Sequence, residues 1–168
     1  EPDQSRYDIE TGELDSTAVR LSWNPSANWS LQASWADVTS PEQLEPDVDV
    51  TKYSASALDK QRLANNGELA FTAAFARKDN SEDVSLDAWL AVASCSPNAD
   101  WTIFSRGEAI ETDELGLIHH GPIEEVQRIN IGVARNFTLS EHVKLANGAS
   151  ITQNWVSDTL SPLYDGNP

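Results

Sequence analysis

The sequence contains little of the chemistry on which most enzymes and metalloproteins depend. Cys95 is the only cysteine, so the chain cannot form an internal disulfide or a cysteine-based metal cluster. The sequence has no methionine, three histidines, no Gly-x-Ser-x-Gly nucleophile motif and no glycine-rich phosphate-binding loop. These absences give no support to redox, nucleophilic or phosphate-binding chemistry, and we expect a non-enzymatic protein with no cofactor other than a possible divalent cation.

Basic residues are also scarce. The chain has 11 Lys and Arg and 27 Asp and Glu, which gives a formal net charge of -16. This charge excludes nucleic acid as a partner, because its phosphates would be repelled. Of the acidic residues, 21 fall in four blocks, at 1–15, 37–49, 79–87 and 108–125. These blocks lie mostly outside the predicted strands, so they are either solvated loops or a rim that attracts cations.

Long apolar runs are missing as well. No uninterrupted apolar run approaches the ~18 residues of a transmembrane helix, so a helical membrane span is excluded. No window carries the apolar stripe of an amphipathic helix over several turns, and the best helical candidate is the short segment 58–69. The chain begins at Glu1 without Met or a signal peptide and stops at Pro168, so we expect a mature form or a trimmed fragment.

The dominant positive feature is alternation with a period of two residues. In 17–35, apolar residues alternate with small or polar ones on both sides of a turn at 24–28 that contains Pro25, which predicts a β-hairpin. The same pattern predicts strands at 17–23, 29–35, 50–58, 69–77, 85–94, 100–110, 126–137 and 142–155. We therefore predict one all-β domain over 1–168, with a polar opening segment at 1–15. Its architecture is an antiparallel up-and-down meander of about eight strands forming a β-barrel.

Two classes of β-barrel could use this alternation. A soluble barrel turns its apolar face inward, whereas a membrane barrel turns it toward lipid and keeps a polar interior. In either case we expect Leu21, Leu31, Phe71, Leu90 and Val133 to share the apolar face. The second face carries mainly Ser, Ala, Thr and Gly with a few mixed charges, a composition that favours a confined barrel interior.

Tryptophan placement and loop lengths also favour the membrane class. Trp23, Trp29 and Trp101 lie beside short turns, and Trp35 lies six residues beyond Trp29, roughly 20 Å along a strand. Two aromatic belts around an apolar band would have this spacing. The connections at 24–28, 96–99 and 138–141 are short and those at 37–50 and 111–125 are long, as in outer-membrane barrels.

Four segments carry a resemblance to a known family. RLSWNPSANW (20–29), SPEQLEP (40–46), WTIFSRGE (101–108) and SPLYDGNP (161–168) resemble an uncharacterised family of porin-like outer-membrane β-barrel proteins of Gram-negative bacteria. The resemblance covers nearly the whole chain. It implies a bacterial outer-membrane location, passive passage of solutes or ions or a structural role, and lipid or detergent as a partner. It also implies a longer barrel, with strands before Glu1 and one further strand after the final loop.

The strands and loops supply two sets of candidate site residues. Arg106 and Glu108 are two residues apart on one strand and therefore point the same way. Charged residues of other strands are expected on the same face, and together with Arg106 and Glu108 they would form a polar network inside the barrel. In this network the opposite charges either neutralise one another or form a constriction that selects ions. The full set is Arg20, Arg106, Glu108, Arg128 and Lys144. In the 111–122 loop, Asp113, Glu114, His119 and His120 offer carboxylate and imidazole ligands for a divalent cation.

Other functions remain open on the sequence alone. One is a soluble periplasmic or secreted β-barrel that binds a small ligand or a cation. Another is a hydrolase that acts through loop residues, with His119, His120 or His142 as candidates. The acidic loops at 41–49 and 111–125 are expected at one end of the barrel, where they would gather cations. The oligomeric state has no signature in the sequence.

Overall fold

The computed structural model describes residues 15–41, 47–113, 115, 121–140 and 143–157. These residues form eight β-strands and one short 3-10 turn. The strands are β1 Thr17–Trp23, β2 Trp29–Val38, β3 Val50–Arg62, β4 Glu68–Asn80, β5 Ser85–Ser96, β6 Trp101–Thr112, β7 Glu124–Ser140 and β8 Val143–Val156.

All eight strands belong to one antiparallel sheet in the order β1-β2-β3-β4-β5-β6-β7-β8. Each strand pairs with its neighbours in sequence, so the predicted all-β antiparallel meander is confirmed. Within the described residues the sheet is open, with β1 and β8 at its two edges.

The strands run further than the sequence pattern predicts. β3 reaches Arg62 rather than residue 58, and β4 begins at Glu68. Lys60 pairs with Ala70 in the ladder, and its Nζ lies 2.8 Å from Oε2 of Glu68. The expected helical segment 58–69 is therefore mostly strand, with a 3-10 turn only at Ala64–Asn66. The polar residues of this segment resemble a loop in the sequence. They can nevertheless take part in a regular ladder, because their side chains project from the sheet surface into solvent.

The pairing register divides the strand residues into two faces. In every ladder, even-numbered residues lie opposite even-numbered ones, apart from an irregularity between Thr138 and Ser140. Successive side chains of a strand point to opposite sides. We call the odd-numbered side the apolar face, since it carries Leu21, Phe71 and Ile131, and the even-numbered side the polar face.

The apolar face is not covered by other parts of the described chain. Leu21 is 69% exposed, Trp89 58% and Ile151 75%. Val50, on the polar face, is the sole hydrophobic residue buried among those described. Large apolar side chains in contact with water are unfavourable at roughly 25 cal/mol per Å². An exposed apolar surface of this size is typical of sites that contact a membrane, another protein or a ligand.

The prediction was wrong for one of the five residues expected on the apolar face. Leu90 pairs with Ala74 and Glu108 on the polar face, whereas Leu21, Leu31, Phe71 and Val133 lie on the apolar face as expected. β5 carries apolar residues on both sides, so alternation alone leaves its orientation undetermined. The neighbouring strand decides it: Trp89 lies opposite Phe75, with ring centroids 4.4 Å apart.

Strand direction places the connections at two ends. The strand ends that flank 24–28, 63–67 and 97–100, together with Ser140 and Val143, lie at one end, the short-turn end. The strand ends Val38, Val50, Asn80, Ser85, Thr112 and Glu124 lie at the other, the long-loop end. At the long-loop end the amide of Ser81 donates to the carbonyl oxygen of Asp49 over 2.9 Å. The amide of Asp49 in turn donates to Oγ of Ser81 over 3.1 Å. Two neighbouring connections are thus tied together.

The turn between β3 and β4 admits no side chain at Gly67. A Cβ there would lie 2.8 Å from the carbonyl oxygens of Ser96, the last residue of β5, and Pro97, the first residue of the next connection at the same end. Gly107, in the middle of β6, has open space on its side-chain side. We expect Gly67→Ala to lower the free energy of unfolding by about 1–3 kcal/mol through overpacking. Gly107→Ala should leave it unchanged or raise it by up to ~1 kcal/mol.

Urea unfolding curves of the two variants and the parent chain, recorded side by side, measure both effects. Equal stability of Gly67→Ala and Gly107→Ala would show that the turns at 63–67 and 97–100 do not touch in solution.

Candidate functional site

The polar face gathers most of the positive charge of the chain. Eight of the ten Lys and Arg residues in the described part of the chain are even-numbered strand residues. They are Arg20, Lys52, Lys60, Arg62 and Lys78 on β1, β3 and β4, and Arg106, Arg128 and Lys144 on β6, β7 and β8. Three acidic residues share this face with them: Glu68, Glu108 and Glu124. A chain with a strong overall negative charge thus presents one face with an excess of positive charge.

Three charged side chains on this face form an Arg–Glu–Arg cluster. Nε and Nη2 of Arg106 lie 2.9 and 2.6 Å from Oε2 of Glu108. Arg128 is the cross-strand partner of Glu108, and its Nη1 lies 3.9 Å from Oε1. The Glu108 side chain is 15% exposed, whereas those of Arg106 and Arg128 are 56% and 52% exposed. The carboxylate is thus enclosed between two guanidinium groups that remain open to solvent.

The other two members of the predicted network lie apart from this cluster. Arg20 is on the edge strand β1, paired with Ser34, and is separated from β6 by four strands. Lys144 pairs with Thr138 near the short-turn end, whereas Arg128 pairs with Asn154 far along β8. The structure therefore brings together Arg106, Glu108 and Arg128. It leaves Arg20 and Lys144 elsewhere on the same face.

Small polar side chains fill the space between the charges. Oγ of Ser34 and Oγ of Ser54 lie 2.6 Å apart on neighbouring strands. Nδ2 of Asn130 donates to Oγ1 of Thr152 over 2.7 Å. These cross-strand bonds satisfy polar groups without large side chains. The space between the charges is therefore lined by small hydrogen-bonded side chains.

The polar face is also the more enclosed of the two. Gly132 is buried, because the ring of Phe104 lies over it: a Cβ at 132 would come within 2.3 Å of that ring. A depression of about 270 Å³ runs beside the cluster, lined by Ser54, Ser56, Ala76, Arg106 and Glu108 among others. Large residues on the apolar face are mostly 40–75% exposed. The sheet therefore surrounds its polar side more closely than its apolar side.

All six tryptophans lie on the apolar face, since all have odd numbers in the strands. Trp23, Trp29 and Trp101 border the short connections, and Trp35 and Trp155 lie toward the opposite ends of β2 and β8. The guanidinium of Arg135 lies 5.5 Å from the centroid of the Trp101 ring and 5.1 Å from that of Phe137. Aromatic and cationic groups thus meet at the short-turn edge of the apolar face.

Between these aromatic groups the apolar face has a shallow groove of about 550 Å³. Small residues of four adjacent strands, Ala57, Ala73, Ala91 and Gly107, form its floor. Phe75 and Trp89 form one side. The lining is almost entirely apolar, so the groove suits hydrocarbon rather than a polar ligand.

The predicted metal ligands lie mainly outside the described residues. Glu114, His119 and His120 belong to that part of the chain, as does His142, so the cation site remains a prediction. Asp113 is described: it is 6% exposed, and its carbonyl oxygen accepts a hydrogen bond from the amide of Gly121 over 3.0 Å. In the ranges that the structure covers, no three His, Cys, Asp or Glu residues are placed to hold a metal ion.

Sequence reasoning missed four of the basic residues on the polar face. Lys60, Arg62 and Lys78 lie beyond the predicted strand ends, and Lys52 lies within a predicted strand. Their even numbers in continuous strands were the signal that could have found them. Charged residues near strand ends resemble loop residues, so for Lys60, Arg62 and Lys78 that signal requires the true strand lengths. For Lys52 the predicted strand already contained it.

Comparisons with known proteins return no relative: no family model, no curated protein and no solved structure matches the chain. Across the residues that are described, no helix has the length and apolar character needed to cross a membrane.

Proposed function

We propose that this chain forms the wall of a non-enzymatic, porin-like β-barrel in a bacterial outer membrane. Its apolar face contacts lipid, and its polar face contacts water. The barrel would allow passive passage of small solutes or ions. The observation that carries the proposal is the uncovered apolar face, which holds all six tryptophans, opposite a face of small and charged residues.

The alternation supports lipid contact rather than a soluble core. A soluble sheet protein buries its apolar face against a second layer. In the described residues, the apolar face has no such layer, and Leu21, Trp89 and Ile151 are more than half exposed. An acyl chain environment would accommodate these side chains and the groove floored by Ala and Gly.

Insertion in lipid requires the edges of the sheet to be paired. A strand edge exposes backbone N–H and C=O groups, and hydrocarbon cannot hydrogen-bond them. The edges of the described sheet are β1 and β8. The proposal therefore requires these two strands to pair with each other or with other strands in the membrane.

Tryptophan quenching from the lipid side tests the proposal. Two variants should each contain one tryptophan: one keeps Trp89 alone, and the other replaces all six with Phe and carries Leu90→Trp. Residues 89 and 90 are neighbours on opposite faces. In vesicles of brominated phosphatidylcholine we expect strong quenching at position 89 and weak quenching at position 90. Aqueous acrylamide should show the reverse order.

Other results would favour the competing functions. A chain that is monomeric and stable without detergent, with Trp89 shielded from acrylamide in plain buffer, would support a soluble barrel that binds a small ligand or cation. A turnover that disappears when His119, His120 or His142 is replaced would support a hydrolase. Circular dichroism must first show that the single-tryptophan variants retain their strand content.

A further inference from the structure

We propose that the polar face gives the barrel a preference for small inorganic anions, with chloride as the simplest probe. This inference rests on the proposed function, because it requires the polar face to line a water-filled passage. It goes further by naming the charge sign of the permeating solute. Three observations carry it: the segregation of charge between the faces, the exposure of the cluster arginines and the position of the acidic residues.

The sheet separates charge by face. The polar face holds eight basic and three acidic strand residues, whereas the apolar face holds two basic and six acidic ones. The two basic residues of the apolar face are engaged locally. Arg77 forms a bidentate ion pair with Asp87, in which both N–O distances are 2.7 Å. The guanidinium of Arg135 lies over aromatic rings. The chain as a whole is therefore negatively charged, whereas the face proposed to line the passage is positively charged.

The Arg106–Glu108–Arg128 cluster retains an excess positive charge. Glu108 carries one negative charge between two guanidinium groups, and its side chain is largely enclosed. About half of each arginine side chain remains exposed, and Arg106 lines the depression beside the cluster. Guanidinium groups bind anions through several N–H donors in a fixed plane. The carboxylate orients the arginines without cancelling both of them.

The acidic residues lie too far along the barrel to reverse this sign at the cluster. Twelve of the sixteen acidic residues in the described ranges are in or near the long-loop end. They are Asp15, Asp37, Asp47, Asp49, Asp79, Glu82, Asp83, Asp87, Glu111, Asp113, Glu124 and Glu125. Arg106 is six residues from Thr112, the end of β6, or about 20 Å along the strand, and Arg128 is four residues from Glu124, or about 13 Å. Both separations exceed the Debye length of ~10 Å at 0.1 M salt.

Planar-bilayer electrophysiology of the full chain tests the inference, with a KCl gradient across the membrane. The reversal potential should correspond to a chloride-to-potassium permeability ratio above one. Replacing both guanidinium groups, in Arg106→Gln with Arg128→Gln, should lower that ratio by about twofold or more. The charge-conserving pair Arg106→Lys with Arg128→Lys should retain most of it. Arg135→Gln, which removes one charge from the apolar face, should leave the ratio unchanged.

The outcomes separate the inference from the function on which it rests. A conducting barrel that prefers potassium would overturn the anion preference and leave the porin-like function standing. A chloride preference that is equal in the parent chain and the Arg106→Gln, Arg128→Gln variant would also overturn the assignment to this face. A chain that inserts in the bilayer and conducts no ions would overturn both the inference and the proposed passage of ions.

Discussion

Ile131→Arg is expected to prevent stable insertion of the chain in lipid vesicles. Ile131 lies in the middle of β7 on the apolar face, 52% exposed, opposite Ser105 and Ile151. A charged residue on the lipid face of a membrane barrel costs about 2–4 kcal/mol at the bilayer midplane. This is a large part of the ~5–15 kcal/mol stability of an ordinary domain. The measurement is the urea midpoint for release from vesicles, followed by tryptophan fluorescence.

The matched control for this substitution is Asn130→Arg. Asn130 is the adjacent residue on the polar face, so in the proposed membrane orientation the same side chain there would point away from lipid. We expect its urea midpoint to stay close to that of the parent chain, with a small loss from the broken bond to Thr152. If Asn130→Arg is the damaging change and Ile131→Arg is harmless, the faces have the opposite environments and the membrane proposal fails.

The melting temperature of the chain is expected to rise with added salt, and more strongly with millimolar Ca²⁺ or Mg²⁺. The acidic residues at the long-loop end repel one another at low ionic strength, and salt screens that repulsion. Divalent cations have two charges and favour carboxylate oxygen, so they should act at lower concentration. Thermal melts followed by circular dichroism at constant pH, from low salt to 0.5 M NaCl, measure the effect.

Paired substitutions assign the salt effect to one end of the sheet. Asp47→Asn with Asp83→Asn removes two charges at the long-loop end. Asp83 has a φ of 64°, a conformation that Asn also tolerates. Asp59→Asn with Asp100→Asn removes two charges at the short-turn end and is the control. The first pair should raise the low-salt melting temperature and weaken its dependence on salt, and the second pair should change neither. A flat response of the parent chain to salt would exclude a cation-gathering rim.

The meander could be predicted from the sequence because its signal is local. Alternation in 17–23 and 29–35 around a turn with Pro25 identifies one hairpin, and repetition of that pattern identifies the others. Short connections between successive strands then favour pairing of sequence neighbours. The placement of Arg106 and Glu108 on one side followed from the same period.

Two features could not be predicted, and each has a physical reason. The orientation of β5 depends on the contact of Trp89 with Phe75 on another strand, and no pattern within β5 contains that information. The lengths of β3 and β4 depend on ladder pairs such as Arg62 with Glu68, which turn charged segments into strand. Lys60, Arg62 and Lys78 joined the basic residues of the polar face only once these strand ends were known.

The even number of strands has a topological consequence. β1 starts and β8 ends at the long-loop end, so the described chain enters and leaves the sheet on the same side. Further antiparallel strands can therefore be added at either edge of this sheet. Their addition would leave the orientation of the eight strands across a membrane unchanged. A fluorophore attached near residue 15 and another near residue 157 would therefore report the same aqueous compartment. Either label alone would give the orientation of the whole sheet.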